Sequence, residues 1–308
     1  MRWFGRRAPT AAALLIAAAT MLTTVPHPVF AQNQAPNRIQ NQTQPSSQSS
    51  AAADDFAIKS AGQTRLAYVV TGNNDIDEIV RAGMQGLTLF MAQRTALEAG
   101  EPVGVDLARD ELVFFPLIYW PIVPGAAKPP RPVLDKIDAY TKQGGTVVFD
   151  TRDAYEASTG PNGESQTLGM LTLRDILSSL DIPELEPVPR EHVLTKTFYL
   201  LRDFPGRFNT GQTWVEALPR DDNEADDAAT RPARGGDGVS SLIITSNDLA
   251  GAWALRPDGQ TMLPMGDNEP RQREFAFRSG VNIVMYTLTG NYKADQVHAP
   301  ALIERLGQ

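Results

Sequence analysis

Asp150, Arg152 and Asp153 follow directly on the apolar run Thr146-Val147-Val148-Phe149. Two carboxylates on an extended turn can ligate a hard cation, or one can serve as a base while Arg152 holds an anion. The same groups can equally satisfy one another, with Arg152 pairing with its neighbours and Asp153 capping a turn. His192 is the one histidine in the body of the chain, since His27 lies near the N-terminus and His298 in the tail. Beside Glu191 it can act as a general base or merely satisfy a turn. Asn247 and Asp248 follow another apolar run, Ser241 to Ser246, so they belong either to the same edge as Asp150 or to a helix cap. Gly72 and Asn73, within Thr71-Gly72-Asn73-Asn74, close a strand and open a helix, where backbone amides can hold an anion. Tyr119-Trp120 precedes a proline-rich loop and suits either an aromatic wall for a sugar or peptide or core packing at a strand end.

Several chemistries have no support. Cysteine is absent, which removes thiol nucleophiles, iron–sulfur clusters and cysteine zinc sites. A single central histidine supports no zinc site, and no residue pattern calls for a metal or a cofactor. There is no Gly-x-Ser-x-Gly elbow, and the Gly72 turn lacks both the P-loop lysine and the Rossmann glycine spacing.

The elements that must position these residues are legible in the periodicity. Arg65 to Val70 reads as a first strand, and Asn74 or Asp75 as the cap of an amphipathic helix running to Leu97. Pro102 to Asp106 reads as a short second strand. Glu111 to Trp120 reads as a third, ended or bulged at Pro116. The loop Pro121 to Pro132 is too proline-rich to be helical and leads into a helix over Val133 to Lys142. Gly144-Gly145 stops that helix, and Thr146 to Phe149 has the unbroken apolar character of a strand covered on both faces. Asp150 then stands at the carboxyl end of a strand, where open α/β sheets place their ligand crevices. Further on, Leu171 to Leu180 reads as a helix, Glu191 to Leu201 as extended, Ser241 to Ser246 as a strand and Glu274 to Leu288 as a packed helix. The fold class is α/β, a mainly parallel sheet with helices on both faces.

Arg2, Arg6 and Arg7 precede the apolar stretch Ala11 to Leu22, and Val29-Phe30-Ala31 resembles a cleavage site. Residues 1–31 are therefore expected to be a signal peptide. The alternative is an uncleaved inner-membrane anchor over 11–25, the only route to membrane association. Residues 32–53 are expected to be a disordered Gln/Asn/Ser-rich linker. Residues 54–308 form a single domain with a charged excursion near 219–238. The net charge is −8, and without the three N-terminal arginines 25 basic residues face 36 acidic ones, a net −11. That balance argues against nucleic acid as a partner.

The run from Leu112 to Asp150 resembles the class I glutamine amidotransferase-like superfamily, a flavodoxin-like fold. Leu66 to Gly72, Gly144 to Asp150, Glu191-His192 running into Phe198-Tyr199, Ser246-Asn247-Asp248 with Trp253, and Gly280 to Tyr286 together resemble the bacterial domain-of-unknown-function family numbered 4159. The superfamily resemblance implies a cysteine nucleophile, which this chain lacks, so glutamine hydrolysis by that route is excluded. The expectation is an exported, periplasmic binding or scaffolding module without catalysis, its partner another envelope protein or a small ligand. The competing expectation is a carboxylate-based hydrolase, unaided or metal-assisted, acting at the carboxyl edge of the sheet through Asp150, Asp153 and His192.

Overall fold

The computed structural model describes residues 63–156, 167–217, 239–265 and 269–289. The N-terminal segment, the linker, the 219–238 excursion and the tail lie outside the described residues.

Five parallel strands form the body of the sheet: β1 (Arg65–Val69), β2 (Gly100–Val105), β3 (Leu117–Pro121), β4 (Thr146–Asp150) and β7 (Leu242–Thr245). Two short antiparallel strands, β5 (Leu185–Pro187) and β6 (Trp214–Glu216), extend it beyond β7, giving the order β2-β1-β3-β4-β7-β6-β5. The parallel part runs 2-1-3-4-5 in chain order, the flavodoxin-like arrangement.

Alternation along the strands divides the core cleanly, because successive side chains point to opposite faces. Leu66, Tyr68, Tyr119, Val148 and Ile243 face α1 (Asn74–Arg94), α4 (Leu249–Trp253) and α5 (Glu269–Thr289). Ala67, Ile118, Trp120, Val147, Phe149 and Ile244 face α2 (Arg131–Lys142) and α3 (Leu168–Leu177). Asp150 follows Val148 by two residues, so the strand's own periodicity turns it toward α4.

The helix ends show why the chain turns where it does. Asn73, rather than Asn74 or Asp75, caps α1, its side chain accepting from Ile76 N at 3.2 Å. Pro130 precedes α2 and Pro132 sits in its first turn, where a missing N–H costs nothing. Gly144 ends that helix with φ +96°, left-handed backbone that a Cβ would strain. Tyr140 then folds back so that its hydroxyl donates to Phe115 O at 2.8 Å.

Several expectations are corrected. The third strand begins after Pro116 rather than at Glu111, because Leu112 to Phe115 forms a hydrogen-bonded turn. Glu191 to Leu201 is not extended: it holds one 3-10 turn at Val193–Thr195 within irregular chain. No period betrays that segment, because it is held by side chains. Asn282, fully buried on α5, donates to Leu194 O and Tyr199 O and accepts from Tyr199 N, at 2.8, 2.9 and 2.8 Å. Asn247 repeats the pattern on Phe204 O, Gly211 O and Gly211 N, at 3.0, 2.8 and 2.9 Å. Each amide takes the place of a strand neighbour.

Candidate functional site

The carboxyl ends of β1, β3, β4 and β7 bring most of the candidate residues to one edge of the sheet. Asp150 lies at its centre, 0% exposed. Its Oδ1 accepts from Arg152 N at 2.9 Å and Asp248 N at 3.2 Å. Its Oδ2 accepts from the Tyr119 hydroxyl at 2.7 Å and Leu249 N at 2.7 Å. These four donors tie β3, β4 and α4 together through one carboxylate. Burial, then the nearby Asp248 charge, push the Asp150 carboxyl up to about 7, and the donors only partly offset this. Tyr119 is raised well above its ordinary value, chiefly by burial and then by the two carboxylates, so it remains a donor.

Asp248 adopts φ 55°, in the left-handed region, and caps α4 by accepting from Gly251 N at 3.3 Å. Its other oxygen lies 2.6 Å from Arg207 Nε. Burial raises its carboxyl, and Arg207 and Arg152 pull it back. Arg152 also has a positive φ, 58°, held by the turn that its amide makes on Asp150. Asp153 is buried and accepts from the Thr151 hydroxyl at 2.5 Å and from the Thr167 hydroxyl, which in turn caps α3 by accepting from Met170 N. Asn247 spends its amide on the Phe204 to Gly211 segment. Asp153, Asp248 and Asn247 are each engaged by the protein itself, while the buried Arg152 Nε has no hydrogen-bond partner among the described residues.

Five candidate residues serve other purposes than a ligand site. The Tyr119 and Trp120 side chains are in the core, so they form no aromatic wall. Gly72 and Thr71 present no free amides to an anion: Asp77 reaches back from α1 to accept from both, at 3.0 and 2.9 Å. The Asn73 side chain is the cap of α1. His192 is near the opposite end of the sheet. Its ring centroid lies 5.6 Å from that of Tyr286, whose hydroxyl accepts from Ser240 N at the amino end of β7. His192 Nδ1 accepts from Leu194 N at 3.2 Å, and burial lowers its pKa. A buried neutral histidine loses stability as pH falls below its unfolded value. The stability margin of the wild type over His192→Asn, which keeps an acceptor for Leu194 N, should therefore shrink between pH 7.5 and pH 5. Urea midpoints across that range check this.

Among the described residues no group of three His, Cys, Asp or Glu could hold a metal ion, and no helix is long and apolar enough to cross a membrane. The opening at this edge is instead a shallow cleft of about 270 Å³, whose walls include Tyr155, Arg207, Phe208, Thr210, Met265 and Gln272. Its floor is continuous with the polar cluster, because Arg207 N and Phe208 N donate to the carbonyls of Asp248 and Asn247, at 3.1 and 2.9 Å.

A domain of unknown function, DUF4159, matches residues 65–288, nearly the whole of the described fold. The chain belongs to the DUF4159 family. A search of curated proteins finds no match. The match starts at β1 and ends within α5, so this sheet and its polar edge are what the DUF4159 domain contains in this chain. Sequence reasoning missed Tyr155, Arg207, Phe208 and Gln272 as lining residues of this cleft. They come from three separated loops or helices, and only the aromatic-cationic pair Arg207-Phe208 offered a local signal.

The brace on Asp150 carries a direct consequence. Tyr119→Phe removes one donor to a buried carboxylate, which should cost about 1.5–3 kcal/mol at pH 7. The check is the urea midpoint against the wild type at equal m-value.

Proposed function

We propose that this chain is a non-catalytic binding module of the cell envelope, with the rim above the carboxyl edge as its binding face. One observation supports this above the rest. Asp150, Asp153, Asp248 and Asn247 are all buried and already bonded to donors or cations of the protein itself. A catalytic carboxylate needs an open position for the reacting group or its water. The 2-1-3-4-5 strand order and the run from Leu112 to Asp150 support descent from an amidotransferase-like ancestor, and the missing cysteine fits a fold retained without its nucleophile. The basic and apolar N-terminal segment supports export, with cleavage before Gln32 and a periplasmic mature chain.

The binding test is co-sedimentation of the mature chain with an envelope fraction, wild type beside an Arg152→Ala/Tyr155→Ala double variant. The Tyr155 side chain lies outside the buried brace, and Arg152→Ala keeps the amide that donates to Asp150, so an unfolding midpoint close to the wild type's is the control that the variant is folded. Loss of sedimentation in the variant supports this face, whereas equal sedimentation overturns it. Mass spectrometry of the expressed protein should find a chain beginning at Gln32. An intact Met1 in the membrane fraction overturns export of a cleaved form.

A carboxylate-based hydrolase is the second reading, and what favours it is the raised Asp150 beside Asp248. Turnover of chromogenic phosphoester, ester or glycoside substrates, with or without added Mg²⁺, that vanishes in folded Asp248→Asn would establish it. The binding-module reading expects none.

A further inference from the structure

Resting on the binding-module reading, we propose that the Tyr155–Phe208 cleft seats one pyranose ring of a neutral oligosaccharide. Tyr155 is 84% exposed, yet its ring is not loose: it lies nearly parallel to Phe208, with an interplanar angle of 23° and centroids 6.1 Å apart. Phe208 is backed in turn by the Arg207 guanidinium, 4.6 Å from its ring centroid. The result is a short stack with one aromatic face open to solvent. The C–H face of a pyranose is apolar and its rim hydroxylated, so an open aromatic face beside polar side chains matches both parts of it.

The rim chemistry narrows the ligand. Asn209 and Thr210 are neutral groups that both donate and accept, and Gln272, its Nε2 already bonded, offers Oε1 as an acceptor, a set that suits hydroxyls better than ions. Among the described residues no carboxylate lines the cleft. Arg207, the one cation among the described lining residues, is already compensated by Asp248 beneath it, so these residues have little net charge to offer an anionic sugar. Size agrees: about 270 Å³, widely open, fits a single ring rather than a buried apolar anchor. The wall is also ordered before binding. Gln272 Nε2 donates to Gly206 O and Arg207 O, both at 3.0 Å, and the backbone amides of Arg207 and Phe208 are tied to Asp248 and Asn247. Little conformational entropy remains to be lost on binding. A peptide side chain could stack on Tyr155 but would leave the hydroxyl-matched rim unused.

Isothermal titration of the mature chain with chitohexaose, cellohexaose and maltohexaose tests this, with hexagalacturonate and a tryptophan-bearing hexapeptide beside them. One stacked ring with a few hydrogen bonds predicts a Kd of roughly 10 µM to 1 mM for at least one neutral hexasaccharide. Tyr155→Ala should weaken it about 10-fold at an unchanged unfolding midpoint, while Tyr155→Phe stays within about 3-fold. Absence of binding to every neutral hexasaccharide, preference for hexagalacturonate or the peptide, or equal affinity in Tyr155→Ala each overturns the proposal. Envelope co-sedimentation that persists without sugar binding would leave the binding-module reading standing. Loss of both would sink the two together.

Discussion

Asp150→Ala should lower the unfolding free energy by about 3–5 kcal/mol at pH 7, the largest effect expected of any polar substitution here. The substitution strands the Tyr119 hydroxyl and the amides of Arg152, Asp248 and Leu249 in a dry interior. It also leaves Asp248 without the neighbour that sets the geometry of α4. Asp150→Asn keeps one carbonyl oxygen for two of the amides and should cost about 1–3 kcal/mol. The pH dependence separates a brace from a merely tolerated charge. The folded carboxyl is raised to about 7, above its unfolded value, so the folded state holds the proton more tightly. The stability this supplies is full below the unfolded value and is lost as pH rises through about 7. Urea midpoints should therefore fall from pH 5 to pH 8 in the wild type, and this component should be absent in Asp150→Asn. The His192 component runs the other way over an overlapping range, so the Asp150 component is read in the His192→Asn background.

The second large effect sits in apolar contact. Gly83 and Gly86 of α1 lie against the backbone of α4. A Cβ at Gly83 would meet Ala250 O at 2.2 Å, and one at Gly86 would meet Trp253 O at 2.1 Å. Backbone carbonyls cannot rotate away as a side chain can. Gly→Ala in mid-helix would by propensity alone stabilise by about 1 kcal/mol. Here each substitution should instead destabilise by about 2 kcal/mol or more, because α4 must move bodily. A displaced α4 takes the Asp248 and Leu249 amides with it, so Gly83→Ala combined with Asp150→Ala should cost less than the sum of the two. Strict additivity would show that the helix and the carboxylate are independent. Denaturant titration of the four proteins in that cycle decides it.

Much of this fold was legible in the chain because the central strands are buried on both faces. Thr146 to Phe149 needed no partner information to read as a strand, and Gly144 marks its start by backbone conformation alone. The short pieces were harder. α4 has five residues and too little length for a period, while β5 and β6 have three each and exist by pairing with β7 and with each other. The candidate edge was found for a physical reason, since strand ends in a parallel sheet collect together. What its residues do there was not legible. The sequence cannot say that Asp77 fills the Gly72 amides, or that the hydroxyls on Asp153 come from Thr151 and Thr167. Carboxylates consumed by the protein and carboxylates held open for a ligand look alike in one dimension.

The paired asparagines, Asn282 and Asn247, have a further consequence for how such a surface can change. They fasten the chain at Leu194 and Tyr199 and again at Phe204 and Gly211, without any ladder between the two anchorages. Between them Leu201 is held in the core, but the exposed Arg202 and Asp203 that follow it carry no register that an extra residue would shift. A ladder transmits every insertion along its length, whereas a segment pinned by single amides absorbs it locally. Length can vary there while both anchorages hold, and the loop from Gly206 to Gly211 that walls the cleft keeps its place beside Asp248. The sheet is in this sense a fixed frame, and the stretch before the cleft is its adjustable part.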